Sequence, residues 1–248
     1  MKRIHWKILL SIMLVGLSVL LHLLHYAIFR DAHHIAIYLL GDLAFLPISV
    51  LFVTLVVDQV MARQEKRAMF RKLNMVIGAF FSEAGTELLK IFWKFDADPE
   101  YLRGHLVFDK DWKQNDYYQL KKKFNSHKPE INIHKGNIEH LKKTISERRE
   151  FLLRLLENPN LLEHETFTAL LWAVFHLAEE LCARPDLKDL PEADYEHLTG
   201  DIKRAYSLLI VEWIIYMRHL HNSYPYLFSL AVRTNPFDIK ASAIIKNK

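Results

Sequence analysis

The sequence predicts an all-α protein: a two-helix transmembrane hairpin at the amino end, followed by a cytoplasmic helical bundle. Three observations predict it. Residues 8–29 hold no Asp, Glu, Lys or Arg, and 35–57 hold only Asp42. Turn formers are scarce, with 7 Gly and 8 Pro in 248 residues, while Leu, Lys, Glu and Ala runs favour helix. No stretch alternates apolar and polar residues as a half-buried strand does.

The first apolar stretch, 22 residues, is long enough to cross about 30 Å of hydrocarbon as a helix. Its apolar core is too long for a cleaved signal and no clean small-x-small site follows, so it is read as a retained span. The second span is about 35–57. Lys2, Arg3 and Lys7 precede the hairpin, and Arg63, Lys66, Arg67, Arg71 and Lys72 follow it. The loop Arg30 to His34 between the spans carries one Arg and one Asp. Cytoplasmic flanks attract Lys and Arg, so both termini, Lys248 included, are expected in the cytoplasm and the loop outside. Trp6 and Tyr26 fall where interfacial aromatics belong. The localisation that follows is the cytoplasmic membrane, with the lipid bilayer as first partner.

Asp42 is costly inside a span and asks for a partner. A hairpin turning about Ala32 puts His22 level with it, and His25 lies one turn on, giving an intramembrane polar seam of His22, His25 and Asp42. Such a seam serves either as a helix-to-helix bond or as an ion path. Pro47 is expected to kink the second helix. Asp31, His33 and His34 form a weak candidate for a metal ion at the loop.

Beyond the spans, 61–94 reads as a basic juxtamembrane segment and helical stalk, and 95–248 as the bundle; 1–60 is the hairpin. Along the stalk Leu73, Ile77, Phe80, Ala84, Leu88 and Ile91 make one apolar face. Gly78, Ser82 and Gly85 make a face of small residues, suited either to packing inside the domain or to self-association as a homo-oligomer. Asp98-Pro99 is a helix start. Further helices are expected at about 112–126, 135–157, 161–183, 191–222 and 225–232, with a turn at Asn158-Pro159-Asn160. In 135–157 the narrow stripe Ile138, Leu141, Ile145, Leu152 and Leu155 marks an amphipathic helix. Phe167 to Ala178 and Ala205 to Met217 are apolar nearly all round and should form the core. Their polar intruders, His176 and Glu212, are a possible buried pair. Tyr224, Tyr226, Phe228 and Phe237 are expected to close the bundle, Cys182 to be a small buried residue, and a fragment from near Asp96 to fold alone.

The excess of positive charge lies at the hairpin flanks. From Leu73 to Lys248 there are 24 Lys or Arg against 25 Asp or Glu, so nucleic acid has no basic surface to meet. A single cysteine excludes an internal disulfide and any CxxC metal site. A di-iron bundle needs repeated Glu-x-x-His, which is missing; Asp31 to His34 and Asp194 to His197 are single Asp-x-x-His matches. His176 with Glu179 and Glu180 lacks the second histidine of a zincin helix. There is no P-loop, dinucleotide glycine signature or nucleophile elbow. No catalytic residue and no cofactor is therefore expected. The leading expectation is a non-enzymatic two-pass protein, oligomeric, whose helical domain senses or binds a cytoplasmic protein partner. An oligomeric small-ion or proton channel is second, and a membrane-bound enzyme with its site in the bundle third.

Overall fold

The computed structural model describes residues 2–108, 111–159, 161 and 164–245; the side chains of 2–7, 67, 70 and 71 are outside that description. Asn160 of the expected turn, Lys248, and the side chains of Trp6, Lys2, Arg3, Lys7, Arg67 and Arg71 lie outside it too. Among the described residues the protein is all-helical, its one β feature being an isolated bridge between Asp96 and Ile131. The chain divides into two compact units, residues 1–66 and 67–248.

In the first unit, α1 (Lys2–Phe29) and the start of α2 (Ala32–Phe80) form the hairpin. Arg30 takes the left-handed conformation, φ 51°, and its N–H donates to the carbonyl of Tyr26. Asp31 then accepts from the backbone N–H of His34 at 3.0 Å, so α2 begins at Ala32, earlier than the expected 35. This local chemistry corrects the register. The turn sits at Arg30–Asp31 and not about Ala32, so the rings of His25 and His34 meet at 5.9 Å and His22 shares a pocket with Leu39. Counted from that turn, Asp42 comes about three residues past the level of His22. His22 bonds instead to the carbonyl of Ser18, at 2.9 Å. Pro47 sits inside α2, which is helical on both sides of it. The stretches Ile8–Phe29 and Ala32–Lys66 are long and apolar enough to cross a membrane, and none of either stretch's most apolar window is buried.

In the second unit the core begins at Leu73. Leu73, Ile77, Phe80, Phe81, Leu88 and Phe92 are all buried in it. The segment 61–94 is therefore not a free-standing stalk; its apolar face packs inside the domain. Gly78 faces the ring of Tyr216, so part of the small-residue face is occupied by the chain itself. A π-helical turn, Phe81–Gly85, separates α2 from α3 (Thr86–Trp93). Thr86 satisfies the Phe81 carbonyl with both its N–H and its hydroxyl, and Arg148 Nε donates to the Glu83 carbonyl at 2.7 Å. At Gly85 a Cβ would come within 2.7 Å of both the Phe80 and Phe81 rings, so no larger residue fits.

Asp98 caps α4 (Pro99–Leu106) through the N–H of Tyr101, and α5 (Gln114–Ser126) follows. The expected helix at 135–157 is two helices, α6 (Ile138–Glu147) and α7 (Arg149–Leu156). Arg148 interrupts them because its guanidinium is drawn to Glu83, Glu87 and the Thr144 carbonyl. Helix α6 starts late because Asn137 caps it and Gly136 lies under Phe95, 2.4 Å from where a Cβ would stand. Helices α8 (Glu165–Ala183) and α9 (Glu192–Ser223) are the most extensively packed pair, and α10 (Pro225–Arg233) closes one side of α9. Helix α8 is long and apolar enough to be a span by composition, yet Phe167, Leu170, Leu171, Val174, Leu177 and Leu181 are all core residues. Phe228 and Phe237 close the bundle, whereas Tyr224 and Tyr226 are exposed. Cys182 is exposed, its sulfur 3.1 Å from the Ser146 hydroxyl, because it lies on the last turn of α8 away from α9.

Core residues before Phe95 change what can fold alone. A fragment starting near Asp96 loses nine large buried side chains, Leu73, Ile77, Phe80, Phe81, Leu88, Leu89, Ile91, Phe92 and Phe95, each worth about 1.5–3 kcal/mol, against a domain stability of about 5–15 kcal/mol. A fragment of 67–245 is expected to unfold cooperatively in urea with a helical circular dichroism spectrum. The fragment 96–245 should give no cooperative transition; equal midpoints for the two would refute the placement of that segment in the core.

Candidate metal centre

Helix geometry places residues four apart on one face. On α8 this pairs His176 with Glu180, and on α9 it pairs His197 with Asp201. The two helices run antiparallel through the short connection 184–191, and the four side chains converge. His176 Nε2 lies 3.4 Å from Asp201 Oδ2, and His197 Nε2 lies 3.4 Å from the same oxygen. Glu180 completes the ring, with Oε2 3.5 Å from His197 Nε2 and Oε1 3.8 Å from His176 Nε2. One ligand atom from each residue fits within 4.8 Å of all the others.

These separations are too long for good hydrogen bonds, which close at about 2.7–3.2 Å. They suit a shared cation. Four ligands at about 2.0–2.2 Å from a tetrahedral ion stand roughly 3.3–3.6 Å from one another.

Asp201 carries the argument furthest. It is 2% exposed, and its Oδ1 accepts from Arg204 Nη1 at 3.0 Å. Its Oδ2 is buried without a hydrogen-bond partner among the described residues, and it faces both imidazoles. A buried carboxylate oxygen with no donor is expensive, and a cation between it and the two histidines removes the cost.

Glu180 and its neighbour Asp194 are held from behind by one guanidinium. Arg184 Nη1 donates to Glu180 Oε2 at 2.8 Å, and this bond keeps the Glu180 carboxyl below its ordinary range. The same guanidinium holds Asp194 in a two-bond fork, at 2.8 and 2.6 Å, which lowers that carboxyl also and raises Arg184. Arg184 thus ties the end of α8 to the start of α9, next to the ligands. His176 and His197 are each about half exposed, so the cluster opens to solvent on one side.

Chemically the set is two imidazoles and two carboxylates, which suits zinc, iron(II), manganese or nickel better than calcium. The two carboxylate charges balance a divalent ion. The open side leaves room for water on the ion.

Two family models match the chain. Residues 69–233 match the C-terminal helical domain of uncharacterized protein MJ1433, and residues 2–61 match its N-terminal helical domain. The chain belongs to this family. Its relative, the uncharacterized protein MJ1433 of Methanocaldococcus jannaschii, is 44% identical over 239 residues, 96% of each chain. No solved structure matches. All four cluster residues lie inside the C-terminal helical domain.

Of the residues singled out from sequence, His176 is in this cluster, but it is not paired with Glu212. The two acids Asp201 and Glu212 are eleven positions apart on α9, about 16 Å along its axis, so His176 at one cannot reach the other. His176 is not buried either. Asp194, taken as half of a chance Asp-x-x-His match, is bound to Arg184 and supports the site indirectly. Asp31 is occupied in capping α2, and the ring of His34 packs edge-on to Tyr38 at 4.7 Å. Glu180 and His197 were met only in incomplete one-helix motifs and Asp201 not at all, because no single helix carries the set. A signal was present: His176 with Asp201, and Glu180 with His197, share one centre between Lys188 and Asp189, inside the connection, which puts each pair side by side in an antiparallel hairpin.

Zinc is expected to raise the Tm of the full-length protein, and a chelator to reverse the rise. Asp201→Asn should abolish the shift. Arg184→Ala should retain it with affinity reduced about 10–100-fold, as for other residues that orient metal ligands. Titration calorimetry with wild type and both variants checks this; equal zinc affinity in Asp201→Asn and wild type would refute the site.

Proposed function

We propose that this protein is a membrane-anchored, non-enzymatic metal-responsive module. Two spans hold it in the cytoplasmic membrane with both termini inside, and its helical domain takes up a divalent transition metal ion between α8 and α9. The loaded domain presents itself to a cytoplasmic protein partner, and the chain works as a homo-oligomer. The observation that carries the metal part is the buried Asp201 Oδ2 aimed at two imidazoles. The anchoring part is supported by two apolar stretches whose side chains from Ile8 to Met61 find no cover in the fold. Basic residues outside the hairpin support the orientation.

Binding at this position would act on structure. The ion would join the last turns of α8 to the first turns of α9, and so tighten the hairpin on which the core is built. A readout by a partner is then a matter of the shape and stability of that hairpin. Catalysis is less well supported. Two cavities alongside α9, of about 540 and 410 Å³, are lined by residues other than the cluster's four. For a channel along His22, His25 and Asp42, the turn at Arg30–Asp31 offsets Asp42 by about three residues from His22, which weakens the case for a seam of those two.

Single cysteines at Ala32 and Ser242 in a Cys182→Ser background test the orientation in intact cells. An impermeant thiol reagent is expected to label 32 and not 242; labelling of 242 alone would overturn it. For the metal response, hydrogen exchange of α8 and α9 should slow on adding zinc to wild type and stay unchanged in a His176→Ala, His197→Ala double variant. Identical behaviour of the two proteins would sink the proposal.

A further inference from the structure

Eleven residues beyond Asp201, α9 passes a second feature of different chemistry. Glu212 is 1% exposed, and its carboxylate oxygens close no hydrogen bond of good geometry among the described residues, with the Thr166 hydroxyl facing it as a weak donor. It lines a cavity of about 410 Å³ between α9 and the end of α5. The walls next to it are apolar, from Phe124, Leu208 and Val211, and the mouth carries Lys128 and Lys203. Neither lysine has an ion-pair partner among the described residues. Arg204, also at the mouth, is engaged with Asp201.

The arrangement is polar at both ends and greasy between them. Burial pushes the Glu212 carboxyl up from its ordinary range, opposed by Thr166, His164 and Lys121. A buried acid in that condition gains most from a donor bearing positive charge. The lysines at the mouth call for an anion. The backbone positions of Lys203 and Glu212 are about 13 Å apart along the helix, so a ligand meeting both an acid and a lysine there is best served by a chain of methylenes against Phe124, Leu208 and Val211. The volume is within the range of small-molecule sites.

We propose that this cavity binds an elongated zwitterion, its terminal ammonium on Glu212 and its terminal carboxylate or phosphate on Lys128 and Lys203. An α-amino acid is too short, because its two charges share one carbon. The site needs no metal at the cluster, so it stands or falls apart from the reading above.

The test uses the full-length protein in detergent and calorimetry with ω-aminohexanoate and ω-aminooctanoate. Hexanoate and hexylamine each keep one end of the first probe. Saturable binding of at least one ω-amino acid is expected, at least tenfold tighter than either control. Glu212→Gln should weaken it about tenfold or more, the effect of losing a charge-assisted bond. Lys203→Ala changes a side chain at the mouth and should weaken it with the circular dichroism spectrum unchanged, which keeps the test sound if Glu212→Gln is poorly folded. Failure of both ω-amino acids to bind would overturn the proposal. So would equal binding of the one-ended controls, or binding untouched by Glu212→Gln and Lys203→Ala in folded protein.

Discussion

The antiparallel packing of α8 on α9 is the contact on which the rest of the second unit depends. Phe167, Leu170, Val174, Leu177 and Leu181 bury one side of it, and Leu198, Ile202, Ala205, Leu209 and Trp213 the other. Helices α5, α3 and α10 then pack on α9, while α6 and α7 pack on α8. A helix of 32 residues is stable in water chiefly because its faces are covered, and here nearly every side of α9 has a neighbour. The same pairing that closes the core brings two His-acid pairs face to face at its open end. Structure and candidate chemistry therefore share one cause.

Much of the fold was legible in the sequence because it rests on period and on punctuation. Asp98-Pro99 marks the start of α4, the apolar stripe of 138–155 is the buried one, and Pro225 opens α10. What escaped depends on side chains that reach across the chain. Arg148 splits a helix because its partners lie some 60 residues earlier, at Glu83 and Glu87. The hairpin register differs from expectation because one aspartate caps α2 three residues early, and three residues are nearly a full turn. Cys182 is exposed although its neighbours are apolar, since it sits on the outer face of the last turn of α8, beside Ser146, while Leu181 next to it is buried.

The candidate metal centre shows the same limit. Each helix contributes a His and an acid at a spacing that chance readily supplies, and only the pairing of the two helices gives four ligands. Counting outward from the connection would have exposed it; scanning for a one-helix motif could not. The family match extends over both units, so the apolar hairpin and the helical domain occur together in the relative as well.

The π-helical turn at Phe81–Gly85 has a consequence for how length may vary in this family. A π turn holds one residue more than an α-helix needs, taken up in a widened turn while the helices on either side keep their phase. Deleting one residue there would leave an unbroken α-helix with Leu88, Leu89 and Phe92 still facing as they do, but it would displace the turn's own side chains, among them Phe81, whose ring packs on Trp213 and Tyr216. The local backbone would be relieved while the core lost its fit. Insertions and deletions should therefore be tolerated in the loops around α4 and α5 and selected against within these five residues.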